Sequence, residues 1–163
     1  MADIQDPENT ILLETSKGGI VIELRPDLAP NHVARIKELA REGFYDGIVF
    51  HRVIDGFMAQ VGCPNGDGSG GSDKPDLKAE FNAEKHVRGT CSMARTSAPN
   101  SANSQFFIMF DDSPHLDGQY TVWGKVVDGM DVVDALEKGE SRRNGSVAHP
   151  DKIVSMRVAA DAS

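Results

Sequence analysis

The chain is short of the residues that announce most kinds of chemistry. It has two cysteines, Cys63 and Cys91, and neither has a Cys-x-x-Cys partner. A reduced pair is expected with the cytoplasmic address read below, because disulfides are rare in the cytosol. Five histidines show no metal-ligand spacing, so neither a metal nor any other cofactor is expected. No Gly-x-Ser-x-Gly elbow supports a serine hydrolase. Basic charge is also scarce: 17 Lys and Arg stand against 25 Asp and Glu, a formal net charge of -8. Duplex nucleic acid is bound largely through phosphate contacts from a basic field, so a nucleic-acid partner is set aside. The longest purely apolar run is Phe106 to Phe110, far below the roughly 20 residues of a membrane-spanning helix. The opening MADIQDPENT carries neither a basic start nor an apolar stretch. No secretory signal is read there, and a cytoplasmic address is expected. Gly66, Gly68 and Gly71 spell Gly-x-Gly-x-x-Gly, but Pro75 follows and no helix opens. A nucleotide site is not expected from that loop.

What is present suits one soluble globular domain spanning residues 1–163. Short strand signals dominate. Thr10–Glu14 and Gly19–Leu24 are apolar or β-branched runs around Ser16-Lys17-Gly18-Gly19, which predicts a hairpin. Further strands are predicted at Ile48–Ile54, Phe57–Gly62, Gly89–Ala94, Gln105–Met109, Thr121–Val127 and Lys152–Ala159. Two helices are predicted. Pro30–Glu42 has proline at the first position, a stripe of Val33, Ile36, Leu39 and Ala40, and a stop at Gly43. Met130–Lys138 has Asp131 and Asp134 toward its start, Lys138 at its end and Gly139 after it. Eight strands and two helices argue for a mainly β, antiparallel architecture, either barrel or sandwich. Pro64–Pro75 and Thr96–Asn103 read as loops.

Three clusters carry polar chemistry inside apolar sequence. In FHRVIDGFMAQVG, residues 50–62, an arginine and two further polar side chains are threaded through a strand-like run. An arginine there is costly unless paired, snorkelling or functional. In residues 92–108 a polar loop runs into SQFFI. Adjacent strand residues face opposite ways, so one of Phe106 and Phe107 should face away from the core, toward a covered or ligand-binding surface. The third cluster is LDGQYTVWGKV, residues 116–126, a turn at Asp117-Gly118 entering a strand.

Together the three clusters resemble the cyclophilins, the peptidyl-prolyl isomerase family, and in particular its short bacterial cytoplasmic members. FHRVIDGFMAQVG resembles the family's F-H-R-x-x-x-G-F-M-x-Q-x-G. SQFFI is similar to its S-Q-F-F-I, and LDGQYTVWGKV to its L-D-G-x-x-x-x-F-G-K-V. The resemblance covers about Thr10 to Val158 and implies an eight-stranded antiparallel closed β-barrel capped by two α-helices. It implies Arg52 as the catalytic residue. Carried over by position, His51, Phe57, Met58, Gln60, Ala94, Gln105, Phe107, Leu116 and Tyr120 line a substrate groove. Phe57, Met58, Phe107 and Leu116 wall the proline pocket, and the Arg95 backbone holds the substrate chain. The implied partners are proline-containing peptides and unfolded or folding proteins, with the chain acting as a monomer.

The chain departs from the family pattern in places. His115, at the groove, stands where many eukaryotic members carry a tryptophan that contacts cyclosporin, which implies weak cyclosporin binding. Tyr120 replaces a histidine of many eukaryotic members. Thr96–Ala98 is one residue longer. Trp123 takes a phenylalanine site and is expected in the core. The competing reading is a non-catalytic proline-peptide binder or holdase on the same groove, which would have no need of the charge on Arg52.

Overall fold

The computed structural model describes residues 6–140 and 144–161. Its eight strands are β1 (Thr10–Thr15), β2 (Gly18–Leu24), β3 (Arg52–Ile54), β4 (Met58–Val61), β5 (Thr90–Met93), β6 (Phe106–Met109), β7 (Val122–Asp128) and β8 (Ile153–Val158). They form one sheet in the order β3-β4-β6-β5-β7-β2-β1-β8, with every pair antiparallel. Two helices, α1 (Pro30–Arg41) and α2 (Met130–Ala135), complete the frame. No helix among the described residues is long and apolar enough to cross a membrane.

The expected closed barrel is corrected to a half-barrel whose ladder is open between β3 and β8. The reason lies in Ile48–Ile54, predicted as one strand, of which only Arg52–Ile54 forms a ladder. Ile48 to Phe50 instead meet the start of β8. Phe50 N–H donates to Asp151 O at 2.8 Å, Ile153 N–H to Ile48 O at 2.8 Å, and a lone bridge joins Val49 and Lys152. The outer edge of β3 is taken by irregular chain, with Val53 N–H donating to Gly145 O at 2.8 Å and Gly139 N–H to Val53 O at 2.8 Å. That segment satisfies the edge groups a ninth strand would otherwise need.

Helix α1 buries the predicted stripe of Val33, Ile36, Leu39 and Ala40, and also His32 and Arg35. Its N-terminus has no local side-chain cap. The Glu80 carboxylate, far along the chain, accepts from the N–H groups of Asn31 (3.2 Å) and His32 (2.9 Å) instead. An acid there satisfies two open donors and matches the helix dipole. Gly43, at φ +72°, ends the helix as predicted. Helix α2 is shorter than the expected Met130–Lys138. Leu136 turns extended, and Glu137 N–H donates to Asp151 Oδ2 at 2.8 Å rather than to a helix carbonyl.

The main core lies on one face of the sheet and includes Trp123, Phe106 and Tyr45, packed edge to face at 5.4 and 5.5 Å. A second, smaller apolar cluster of Met58, Phe107, Met109 and Leu116 lies apart from it. Phe106 and Phe107 belong to different clusters, as the strand alternation predicts.

Candidate active site

The sheet register builds the site. Arg52 on β3 faces Gln60 on β4, Gln60 faces Phe107 on β6, and Phe107 faces Ser92 on β5. Paired residues share a face, so these four side chains form a row across four strands. The neighbouring row, Val53, Ala59, Ile108 and Cys91, turns into the main core.

Arg52 is half-buried and held by three hydrogen bonds. Its Nη1 donates to Gln60 Oε1 at 3.0 Å, its Nε to Asn144 O at 2.9 Å and its Nη2 to Asn144 Oδ1 at 3.0 Å. Burial lowers its proton affinity from the usual 12.5, yet a guanidinium keeps its charge in any working range. The order continues outward. Gln60 Nε2 donates to Gln105 Oε1 at 2.9 Å, and Gln105 Nε2 donates to the carbonyls of Gly68 (3.0 Å) and Gly70 (2.8 Å). The cation is thereby tied to the glycine-rich loop.

Beside the guanidinium lies a cavity of about 140 Å³. Phe57, Met58, Phe107 and Leu116 give it apolar walls, and Ala94, Tyr120, Gln60, Arg52 and Arg95 complete the lining. Among the described residues two arginines and no carboxylate face it. Arg95 stacks over the Tyr120 ring at 4.7 Å and donates to Gln119 O through Nε (3.0 Å) and Nη2 (2.6 Å).

Nine of the twelve residues expected at the site thus share one cavity. The other three lie around it. Gln105 lines an adjoining polar cleft of about 460 Å³ with Gly68–Ser72 and Asn103. His51 lines a second cleft, about 470 Å³, behind Arg52. It is buried, its Nδ1 has no partner among the described residues, and burial followed by the Arg52 charge pushes its pKa down from 6.5. His115 is exposed at the rim, its ring centroid 6.0 Å from that of Phe57. Among the described residues no group of three or more His, Cys, Asp or Glu could hold a metal.

Sequence reasoning missed Asn144. Among the described residues it is the non-glycine residue at positive φ (56°), and that turn aims both its carbonyl and its side chain at Arg52. The Asn-Gly pair at 144–145 was the available signal, since asparagine tolerates the left-handed region better than most residues.

Residues 10–158 match the family model of the cyclophilin type peptidyl-prolyl cis-trans isomerase/CLD. The chain belongs to the cyclophilin-type peptidyl-prolyl cis-trans isomerases. A probable peptidyl-prolyl cis-trans isomerase of Brucella suis is 58% identical over 171 residues, covering 98% of this chain and 87% of that protein. A cyclophilin from Hirschia baltica superposes with a TM-score of 0.87 at 34% identity, over 97% of this chain and 76% of its own. A Cryptosporidium parvum cyclophilin-type isomerase, solved in the presence of the dipeptide Ala-Pro, gives 0.84 at 28% identity, over 91% of this chain and 98% of its own. The cyclophilin fold therefore accounts for the half-barrel and both helices.

Proposed function

We propose that this isomerase works by gripping a proline ring in the apolar cavity while Arg52 stabilises the twisted imide. Rotating a peptide bond meets a barrier of about 18–20 kcal/mol, and X-Pro bonds isomerise in tens to hundreds of seconds. A turnover of about 10³ s⁻¹ corresponds to a barrier near 13 kcal/mol, so the site must supply roughly 5–7 kcal/mol by the same arithmetic. No bond is broken. As the imide twists, its nitrogen regains a lone pair that a fixed N–H donor can bond. The planar ground state offers no such acceptor, so the interaction strengthens only at the transition state. The apolar walls exclude water and raise the value of that bond.

The observation that carries this reading is the Arg52 guanidinium, immobilised by Gln60 and Asn144 at the edge of an apolar pocket. A fixed donor needs no reorganisation when the imide twists. The C. parvum relative solved with Ala-Pro supports a proline-containing ligand for the same pocket. By the same reading, Phe57, Met58, Phe107 and Leu116 hold the ring, and Gln60, Ala94, Arg95, Gln105 and Tyr120 flank the substrate chain. His51 and His115 border the groove. The clients are unfolded or folding proteins, met by a monomer in the cytoplasm. Cyclosporin binds weakly because His115 offers no indole, and an inhibition constant equal to that of tryptophan-bearing relatives would contradict this.

The test is exchange NMR on a short X-Pro peptide with the native protein and Arg52→Ala. Exchange should be fast with the native protein and fall at least tenfold in the variant while its circular dichroism is kept. Binding without faster exchange in the native protein would make the chain a proline-peptide binder.

A further inference from the structure

Behind the proline pocket lies a buried chain of polar groups that the isomerisation step does not use. His86 is 1% exposed and Ser92 is fully buried. The His86 Nδ1 lies 3.1 Å from Asp117 Oδ1, and its Nε2 lies 2.9 Å from Ser92 Oγ. The backbone of the same residue is bolted to the turn that carries Leu116. His86 N–H donates to Asp117 Oδ1 at 2.7 Å, and Ser113 N–H donates to His86 O at 2.8 Å. The imidazole also stacks on the Phe107 ring, 6.2 Å between centroids and 22° between planes, and meets the Tyr120 ring edge-on at 6.4 Å. Phe107, Tyr120 and Leu116, three linings of the pocket, thus rest on one residue that does not line it.

The protons in this chain can be counted. Asp117 is an acceptor, its pKa lowered from the usual carboxylate value first by the His86 backbone N–H. A neutral imidazole therefore carries its proton on Nδ1, and its Nε2 accepts from the Ser92 hydroxyl. An imidazolium would instead donate from Nε2 to Ser92 Oγ. The hydroxyl then donates to Thr121 O, a bond the geometry already allows at 3.0 Å, on a carbonyl that Met93 N–H also reaches. Both arrangements are open to Ser92, and they differ by one proton on His86. Ser92 is the ladder partner of Phe107, so the switch lies directly behind a pocket wall.

We propose that His86 is a positioning residue whose protonation resets the Ser92 hydroxyl and the walls carried by Phe107 and Leu116, making the proline pocket's affinity depend on pH. The inference rests on the isomerase reading of that pocket. The neutral form is the competent one. Protonation puts a charge behind an apolar wall and draws Asp117, with the Leu116 turn, toward the ring. The charged and titratable groups facing His86 are few. Asp117 favours its protonation, His115 on the same turn opposes it, and Lys85 competes for Asp117 from 3.9 Å. Tyr120 faces it through its ring. Burial, the largest influence, keeps the imidazole pKa below the usual 6.5. Because Arg52 is not touched, the effect falls on KM and not on kcat.

The experiment follows an uncharged Ala-Pro peptide, blocked at both ends, between pH 4.5 and 8. Its dissociation constant and exchange rate are measured by NMR, alongside the ¹⁵N imidazole shifts of the native protein. His86→Gln and His86→Phe are carried in parallel. The native protein should bind several-fold more weakly at the acid end, with a midpoint that tracks the His86 nitrogen shifts and with kcat unchanged. Both variants should lose the step. An affinity that stays flat while His86 titrates would overturn the proposal, as would an imidazole that never titrates in this range. So would the same step surviving in His86→Gln, which would assign it to His51 or His115. If the variants do not fold, the native titration alone decides between these outcomes. If the native protein binds peptide without accelerating exchange, the isomerase reading fails, while the pH step in affinity still decides the role of His86.

Discussion

Two faces of the same four strands have opposite chemistry. One row is Val53, Ala59, Ile108 and Cys91, all fully buried in the main core. The other is Arg52, Gln60, Phe107 and Ser92, where a cation, an amide, a ring and a hydroxyl stand side by side. One residue of shift along each strand separates them. The difference shows how a sheet can spend one surface on stability and the other on function without a separate domain.

The comparison breaks most visibly at Phe106 and Phe107. Phe106→Ala opens a hole among Tyr45 and Trp123 and should cost about 3–5 kcal/mol of unfolding free energy. Phe107→Ala borders a cavity that is already open, so mainly the transfer of the ring is lost, roughly 2 kcal/mol. Its main effect should be weaker proline binding. Denaturant midpoints and peptide titrations on both variants would check the contrast, and equal stability losses would show that the two faces are not separate.

A second test uses acid. His32, His51 and His86 are buried or nearly so, and burial is the first cause that pushes each pKa below 6.5. The unfolded chain then binds protons that the folded chain refuses, so stability is full above about pH 6.5 and falls as pH drops toward the folded values. The urea midpoint should decrease from pH 7 to pH 5, and a constant midpoint would contradict this. A third test concerns Arg52 alone. Asn144→Gly keeps the carbonyl bond and the left-handed turn but deletes the Oδ1 bond. The value of one hydrogen bond, about 1 kcal/mol, predicts a fall of roughly fivefold in kcat/KM, with stability nearly unchanged. The smallest effect belongs to Arg95, whose stacking on Tyr120 is exposed and worth about 0.5–1 kcal/mol. Arg95→Gln should shift KM by only a few-fold and leave kcat alone.

Short apolar and β-branched runs were enough to find all eight strands, although only Arg52–Ile54 of Ile48–Ile54 joins the ladder, and alternation separated Phe106 from Phe107. Helix α1 was readable because proline, the apolar stripe and Gly43 agree. The resemblance, resting on three short segments, supplied nine residues that the fold brings to one cavity. What could not be read depends on partners distant in sequence. Glu80 caps α1 from about fifty residues away, Asp151 shortens α2, and Gly139 and Gly145 bond the outer edge of β3. Asn144 joins Arg52 across 92 positions. Such pairings leave no local periodicity, so a pattern search along the chain passes over them.

The open ladder has its own consequence. Arg52 belongs to a three-residue strand at the edge of the sheet, joined on its far side by a few backbone bonds and not by a full ladder. Edges with few cross-strand bonds open at lower free energy than the interior of a sheet. On warming, the strand bearing the guanidinium should detach while Phe106, Trp123 and Tyr45 remain packed. Catalysis is then expected to fade several degrees before the protein melts, so that the enzyme has a working temperature set by its margin and a survival temperature set by its core.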